Sequence, residues 1–230
     1  MISLPAMIVF IVYGVYSIFH LVLCFFESEK LRKISKPFCM ALLAVGAVLA
    51  APNYPLIYLG PVFGLIGDIL LIFKKKFRFF IYGMVAFMCN HVCYFIQILI
   101  FIGKTGVNVP WYFFLVMGIA LVAIVIGLYP FTKKLAGRAA LLGNLYIPLM
   151  ICVGVMAAWL LTELKVTYPG LFILLGYIIF LLSDSILIYT TFKKDIRRRD
   201  LYIMFTYLMA EFLIVFGLIL IEVISAWQQF

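Results

Sequence analysis

The sequence predicts an all-α, polytopic membrane helix bundle with eight transmembrane helices. Three observations carry that prediction. The first is composition: of 230 residues, 67% are apolar and only 12% are charged, with a mean hydropathy of +1.24. Soluble domains average roughly 45–50% apolar and about 25% charged residues, and no soluble core of this size could enclose so much Leu, Ile and Phe. The second is that the apolar runs are continuous rather than alternating, which excludes an outer-membrane barrel and favours spanning helices. The third is the placement of charge, which punctuates the apolar runs at a regular interval.

The spans fall near residues 5–26, 36–51, 55–73, 79–102, 109–130, 138–161, 169–192 and 201–226, and together make one transmembrane domain, 1–230. The first has no basic segment before it and no small-residue cleavage site after it, so it reads as a retained helix and not a signal peptide. Lys30, Arg32, Lys33 and Lys36 divide it from the second, which is the shortest and has Pro37 suited to its first turn. The third runs to Lys74, Lys75, Lys76 and Arg78, where the fourth begins. Lys133, Lys134 and Arg138 divide the fifth from the sixth. Lys193, Lys194, Arg197, Arg198 and Arg199 divide the seventh from the eighth. Of the 18 Lys and Arg, only Lys104 and Lys165 fall in the intervening loops. By the positive-inside rule the four basic loops are cytoplasmic and both termini extracytoplasmic. The net charge of +9 is thus a topology signal, not a nucleic-acid footprint.

The loops are short and leave no room for a soluble domain. The five cysteines (Cys24, Cys39, Cys89, Cys93 and Cys152) lie in spans, at spacings that fit neither a disulfide framework nor a zinc site. With two histidines and no metal-spaced cluster, neither a metal nor an organic cofactor is expected. The halves resemble each other weakly. Asp68 is followed by ILLIFKKKFR and Asp184 by SILIYTTFKK, and the same offset beyond each reaches His91 and Tyr207. A parallel 4+4 internal repeat would bring both Asp residues to one axis. No Gly- or Pro-interrupted helices stand in matching positions of the two halves.

Asp68 lies in GLIGDILLIF and Asp184 in IIFLLSDSILIY. A central Asp costs about 2.5–3.5 kcal/mol even on lenient insertion scales, and intramembrane ionisable groups usually serve function. At about 1.5 Å per residue from the basic loops, Asp68 and Asn144 sit roughly 9 Å deep, Asp184 roughly 14 Å, and His91 and Glu211 roughly 18–20 Å. Nothing comparable is seen near the outer surface, so a cavity open to the cytoplasmic leaflet is expected. Each residue has a structural alternative. The acids could pair with Lys36 or hydrogen-bond across helices, His91 and Glu211 could bridge helices, Lys36 could snorkel, and His20 reads as packing. The tyrosines and phenylalanines read as lipid-facing or core.

Five segments in this order carry a resemblance: SKP (Ser35–Pro37), IGDILLIF (Ile66–Phe73), YGMVAFMCNHVCY (Tyr82–Tyr94), LLSDSILIYTTF (Leu181–Phe192) and TYLMAE (Thr206–Glu211). With them the chain resembles the YhhN family of integral membrane lysoplasmalogenases. One departure is Glu211, where relatives are expected to carry Gln. The resemblance implies hydrolysis of the vinyl-ether bond of a lysophospholipid, lysoplasmalogen, to a fatty aldehyde and glycerophospho-ethanolamine or -choline. It implies Asp68 and Asp184 as the acid–base pair. Lys36, His91, Asn144 and Tyr207 would position water or the head group, with Glu211 a third acid. It is compatible with a bacterial inner membrane or the endoplasmic reticulum. Two carboxyls in different surroundings suit a reaction through an oxocarbenium ion. The rival reading is a proton-coupled secondary transporter or lipid-binding carrier that uses the acids as a relay.

Overall fold

A computed structural model describes residues 2–73, 76–105, 109–136, 140–163 and 167–228. Lys74, Lys75, Arg138 and Lys165 lie outside the described residues. Among those described there are eight helices and no strand: α1 (Leu4–Phe25), α2 (Glu29–Ala50), α3 (Pro55–Ile72), α4 (Phe77–Thr105), α5 (Trp111–Ala136), α6 (Ala140–Glu163), α7 (Thr167–Phe192) and α8 (Arg199–Gln228). All eight are long and apolar enough to cross a membrane, and the protein is a multi-pass membrane protein.

The largest departure from the sequence reading is α2. It starts at Glu29, seven residues before the expected 36, and Pro37 stands inside the helix instead of in its first turn. Hydropathy marks where a helix meets lipid, not where it starts. Glu, Lys, Leu and Arg are all good helix formers, and Glu29 suits the positive end of the helix dipole and pairs with Lys33 one turn on. Lys30, Arg32, Lys33 and Lys36 therefore ride on a helix. Arg78, Lys133, Lys134 and Arg199 do the same at the ends of α4, α5 and α8. This earlier start also revises the comparison of the two halves. Pro37 is the ninth residue of α2 and Pro148 the ninth of α6, and both helices run on through their proline. Prolines do stand in matching positions, although neither interrupts its helix.

Consecutive helices pack against one another in both halves, and α3–α4 and α7–α8 are the closest pairs. Small residues allow this, as in other membrane bundles. A Cβ on Gly60 would run into the Tyr94 ring, and one on Gly67 would come within 2.8 Å of the Phe87 ring. Across α7–α8, a Cβ on Gly176 would meet the Ala210 carbonyl at 3.0 Å, and one on Gly217 the Pro169 carbonyl at 2.8 Å. Helix α8 packs on α7 and reaches α1, α2, α3 and α4, so it forms the pillar of the bundle. Helix α5 is its opposite: no residue of Trp111–Pro130 is buried, and it leans on α6 at the periphery.

Candidate active site

The pillar helix brings the polar residues together. Asp68 on α3 is 1% exposed, and Lys36 Nζ from α2 lies 3.0 Å from its Oδ1. The Tyr207 hydroxyl of α8 faces the same carboxyl. Gly64, one turn before Asp68, makes this approach fit, since a Cβ there would stand 3.2 Å from both Asn90 Nδ2 and Tyr207 Oη. Neither Asp68 oxygen, nor the Tyr207 hydroxyl, completes a hydrogen bond of good geometry within the protein. The Lys36 contact is thus an ion pair without hydrogen-bond alignment. One turn along α8, Glu211 is fully buried and differently held. Asn90 Nδ2 donates to its Oε1 at 2.5 Å and the Tyr94 hydroxyl to its Oε2 at 2.7 Å. Both of its oxygens are satisfied from α4.

A second group lies between α4, α6 and α7. His91 is fully buried, with Nδ1 3.3 Å from the Tyr177 hydroxyl and Nε2 3.3 Å from the Tyr146 hydroxyl. The Tyr146 hydroxyl in turn faces Asp184 on α7. Asp184 is half-buried, and its Oδ2 is sealed from solvent with no hydrogen-bond partner. Phe180 joins the two groups, its ring centroid 4.6 Å from that of His91 and 5.6 Å from that of Tyr207. Glu211 lies within electrostatic range of both Asp68 and Asp184.

Access comes from the basic end. A cavity of about 180 Å³ is lined by Lys36, Arg32 and His20, and by Leu187, nearly one turn from Asp184. It opens into a vestibule of about 510 Å³ between the α1–α2 and α7–α8 connections, with Glu29, Arg32, Arg199 and Asp200 common to both spaces. In those connections Glu27 and Arg198 adopt left-handed backbone, at φ 54° and 57°, which turns the chain sharply into α2 and α8. Arg198 lies over the Phe25 ring at 3.8 Å and ties the two connections together.

The sequence pattern of the YhhN family matches residues 31–218, most of the chain. The chain belongs to the YhhN family. No curated protein and no solved structure matches it. The matched stretch begins within the first turns of α2 and ends within α8, so the family pattern takes in both polar groups.

The expected site residues divide by place. Lys36, Asp68, Tyr207 and Glu211 converge around α8, whereas His91 and Asp184 belong to the Tyr146 group. Asn144 is buried, and its Nδ2 donates to the Val125 carbonyl of α5 at 3.2 Å, a bond that fastens the peripheral helix. Sequence reasoning missed Tyr146 and Tyr177 because tyrosines in apolar runs were read as packing. Their place near the middle of spans, away from the interfacial belt that favours Tyr, was the usable signal. His20 is more than packing: its Nδ1 stands 2.7 Å from Ser35 Oγ. The outer end is corrected too. Glu222 is buried there, accepting from Gln97 Nε2 at 2.7 Å, with Lys104 Nζ 3.5 Å from its Oε2 and over the Tyr54 ring at 4.5 Å. An acid in the run LILIEVIS was legible and went unread.

Proposed function

We propose that this protein is a membrane-embedded hydrolase that cleaves the vinyl-ether bond of lysoplasmalogen by carboxyl acid–base catalysis. The observation that supports it is a contrast among three buried acids. Glu211 spends both oxygens on Asn90 and Tyr94. Asp68 and Asp184 each keep buried carboxyl oxygen without a hydrogen-bond partner. A native protein satisfies nearly all its buried polar atoms, so exceptions call for a role. Here the role is to meet substrate and water.

The chemistry needs two steps. A carboxyl group gives its proton to the β-carbon of the vinyl ether, and the α-carbon becomes an oxocarbenium ion. Water adds to that cation while a carboxylate takes its proton, and the hemiacetal collapses to fatty aldehyde and glycerophospho-alcohol. Asp68, with the Lys36 ammonium beside it, suits the carboxylate that faces the cation and takes the proton from water. Asp184, which makes no ion pair among the described residues, suits the donor, and the Tyr146 and His91 side chains beside it offer a path for reprotonation. The phenylalanine and tyrosine rings between the two groups exclude bulk water. Purified protein in detergent, given a lysoplasmalogen and no ion gradient, should release aldehyde. Binding without turnover would replace this reading with a carrier.

A further inference from the structure

Beside the charged cavity at the basic end lies a second space of another character. A groove of about 210 Å³ runs between α1 and α8, lined almost wholly by apolar side chains that include Phe10, Leu21, Phe205 and Phe212. The two spaces are neighbours at the α1–α8 seam. His20 lines the cavity and Leu21 the groove, consecutive on α1; Met204 and Phe205 do the same on α8. From Phe10 to Leu21 the groove extends about 16 Å along α1, close to the roughly 15 Å depth of one leaflet, half of the ~30 Å hydrocarbon core. Tyr13 on its floor donates its hydroxyl to the Leu208 carbonyl at 2.8 Å, so the groove's inner wall reaches α8 one residue from Tyr207.

The cavity carries charge of both signs. Arg32, Lys33, Lys36 and Arg199 line it together with Glu29 and Asp200. Arg32 gives one guanidinium nitrogen to Asp200 at 2.9 Å. Such a fork suits a phosphate oxygen better than a single ammonium would. With Asp68 counted as the partner of Lys36, four cations against three carboxylates still leave a positive excess for an anion, while Glu29 and Asp200 offer a place for an amine. A polar chamber for a zwitterion and a leaflet-long apolar slot in series have the shape of one kind of molecule.

We propose that the α1–α8 seam is the binding site for a single-chain zwitterionic phospholipid, with the phosphate on Arg32 and Lys36, the head-group ammonium toward Glu29 and Asp200, and the hydrocarbon chain in the α1–α8 groove. The inference rests on the lysoplasmalogen reading for its purpose, but the binding itself needs no cleavage. The glycerol backbone then spans the region between Lys36 and Tyr13, beside Asp68. The groove, at about 210 Å³, takes one chain.

The test is direct binding to the full chain in detergent, using a saturated 1-O-alkyl lysophosphoethanolamine, which has no bond to cleave. Arg32→Gln should weaken it about tenfold or more, as loss of a charge-assisted contact does, and should leave a 1-O-alkylglycerol without phosphate unchanged. Arg32→Lys should recover part of the loss, which a merely structural Arg32–Asp200 pair would not distinguish by head group. Gly14→Phe fills the groove: a Cβ at Gly14 meets nothing within 4 Å, so the ring enters open space without disturbing the packing. It should weaken both alkyl ligands about tenfold or more, with thermal unfolding unchanged. Equal binding by either variant overturns the proposal. So does tail-less glycerophosphoethanolamine binding as tightly as the lipid, which would make the cavity a soluble-phosphate site. The two readings fail separately: expected binding without aldehyde release from a vinyl-ether lysolipid removes only the hydrolase, and release unaffected by both variants removes only this site.

Discussion

At the scale of single residues, three buried carboxyls compete for the chemistry, and their hydrogen bonds separate them. Asp68→Asn and Asp184→Asn keep size and polarity but can neither give an acidic proton nor carry negative charge. Each should cut aldehyde release by at least about 10²-fold, the lower end of what a general acid or base contributes, while thermal unfolding stays near that of the parent. Folding should tolerate both changes, since a neutral amide is cheaper to bury than a carboxylate. Glu211→Gln should be mild. The Gln carbonyl can still accept from Asn90, and its amide can donate to the Tyr94 hydroxyl, which accepts as readily as it donates. Near-parental release by either Asn variant would move the acid–base role to Glu211. Tyr146→Phe removes the hydroxyl that touches both His91 and Asp184. It should slow turnover and leave lysolipid affinity unchanged; a loss of affinity alone would make Tyr146 a wall of the binding site instead.

At the scale of elements, close approach of α3 and α4 positions both ends of the Asp68–Glu211 group. Gly60 receives the Tyr94 ring and Gly64 the Asn90 amide, and those two side chains hold Glu211. Gly60→Ala drives a methyl into the ring. Overpacking of this kind costs about 1–3 kcal/mol and should lower the unfolding temperature measurably. Gly118→Ala and Gly127→Ala on α5 meet nothing within 4 Å, and since Ala favours a helix over Gly they serve as controls that should not lower it. An equal response at Gly60 and Gly118 would show that the α3–α4 contact is looser than described. The existence and order of all eight helices were legible in the sequence, because continuous hydropathy and periodic charge are local signals. The start of α2 was not, because its first two turns are polar and only their helix propensity and pairing announce them. Nor could hydropathy tell that α5 would stand at the edge and α8 at the centre, since both read as apolar runs of similar length. That difference lies in which residues oppose each other across helices.

At the scale of the whole molecule, the polar residues form an axis along α8 from one membrane face to the other. Arg199 and Asp200 stand at the basic end, Tyr207 and Glu211 at mid-depth, and Glu222 near the far end. Depth along the chain was readable, because rise per residue converts spacing to distance. Partnership was not, since Lys36 meets Asp68 and Asn90 meets Glu211 across separations that only packing sets. The axis is uneven. Its basic end holds two spaces that share Glu29, Arg32, Arg199 and Asp200, while toward its far end Glu222 is held by Gln97, Lys104 and Tyr54. Substrate should then arrive from one side of the membrane, and the basic residues say which, because Lys and Arg near span ends are retained on the cytoplasmic side. Single cysteines at Asn53, in the exposed connection between α2 and α3, and at Lys194, in that between α7 and α8, report on opposite faces. With the native cysteines replaced, an impermeant thiol reagent applied to intact cells should label position 53 and spare position 194 until the membrane is opened. Labelling of both from outside would break the eight-helix topology. Labelling of 194 alone would invert it, and the vestibule would then face the extracytoplasmic leaflet.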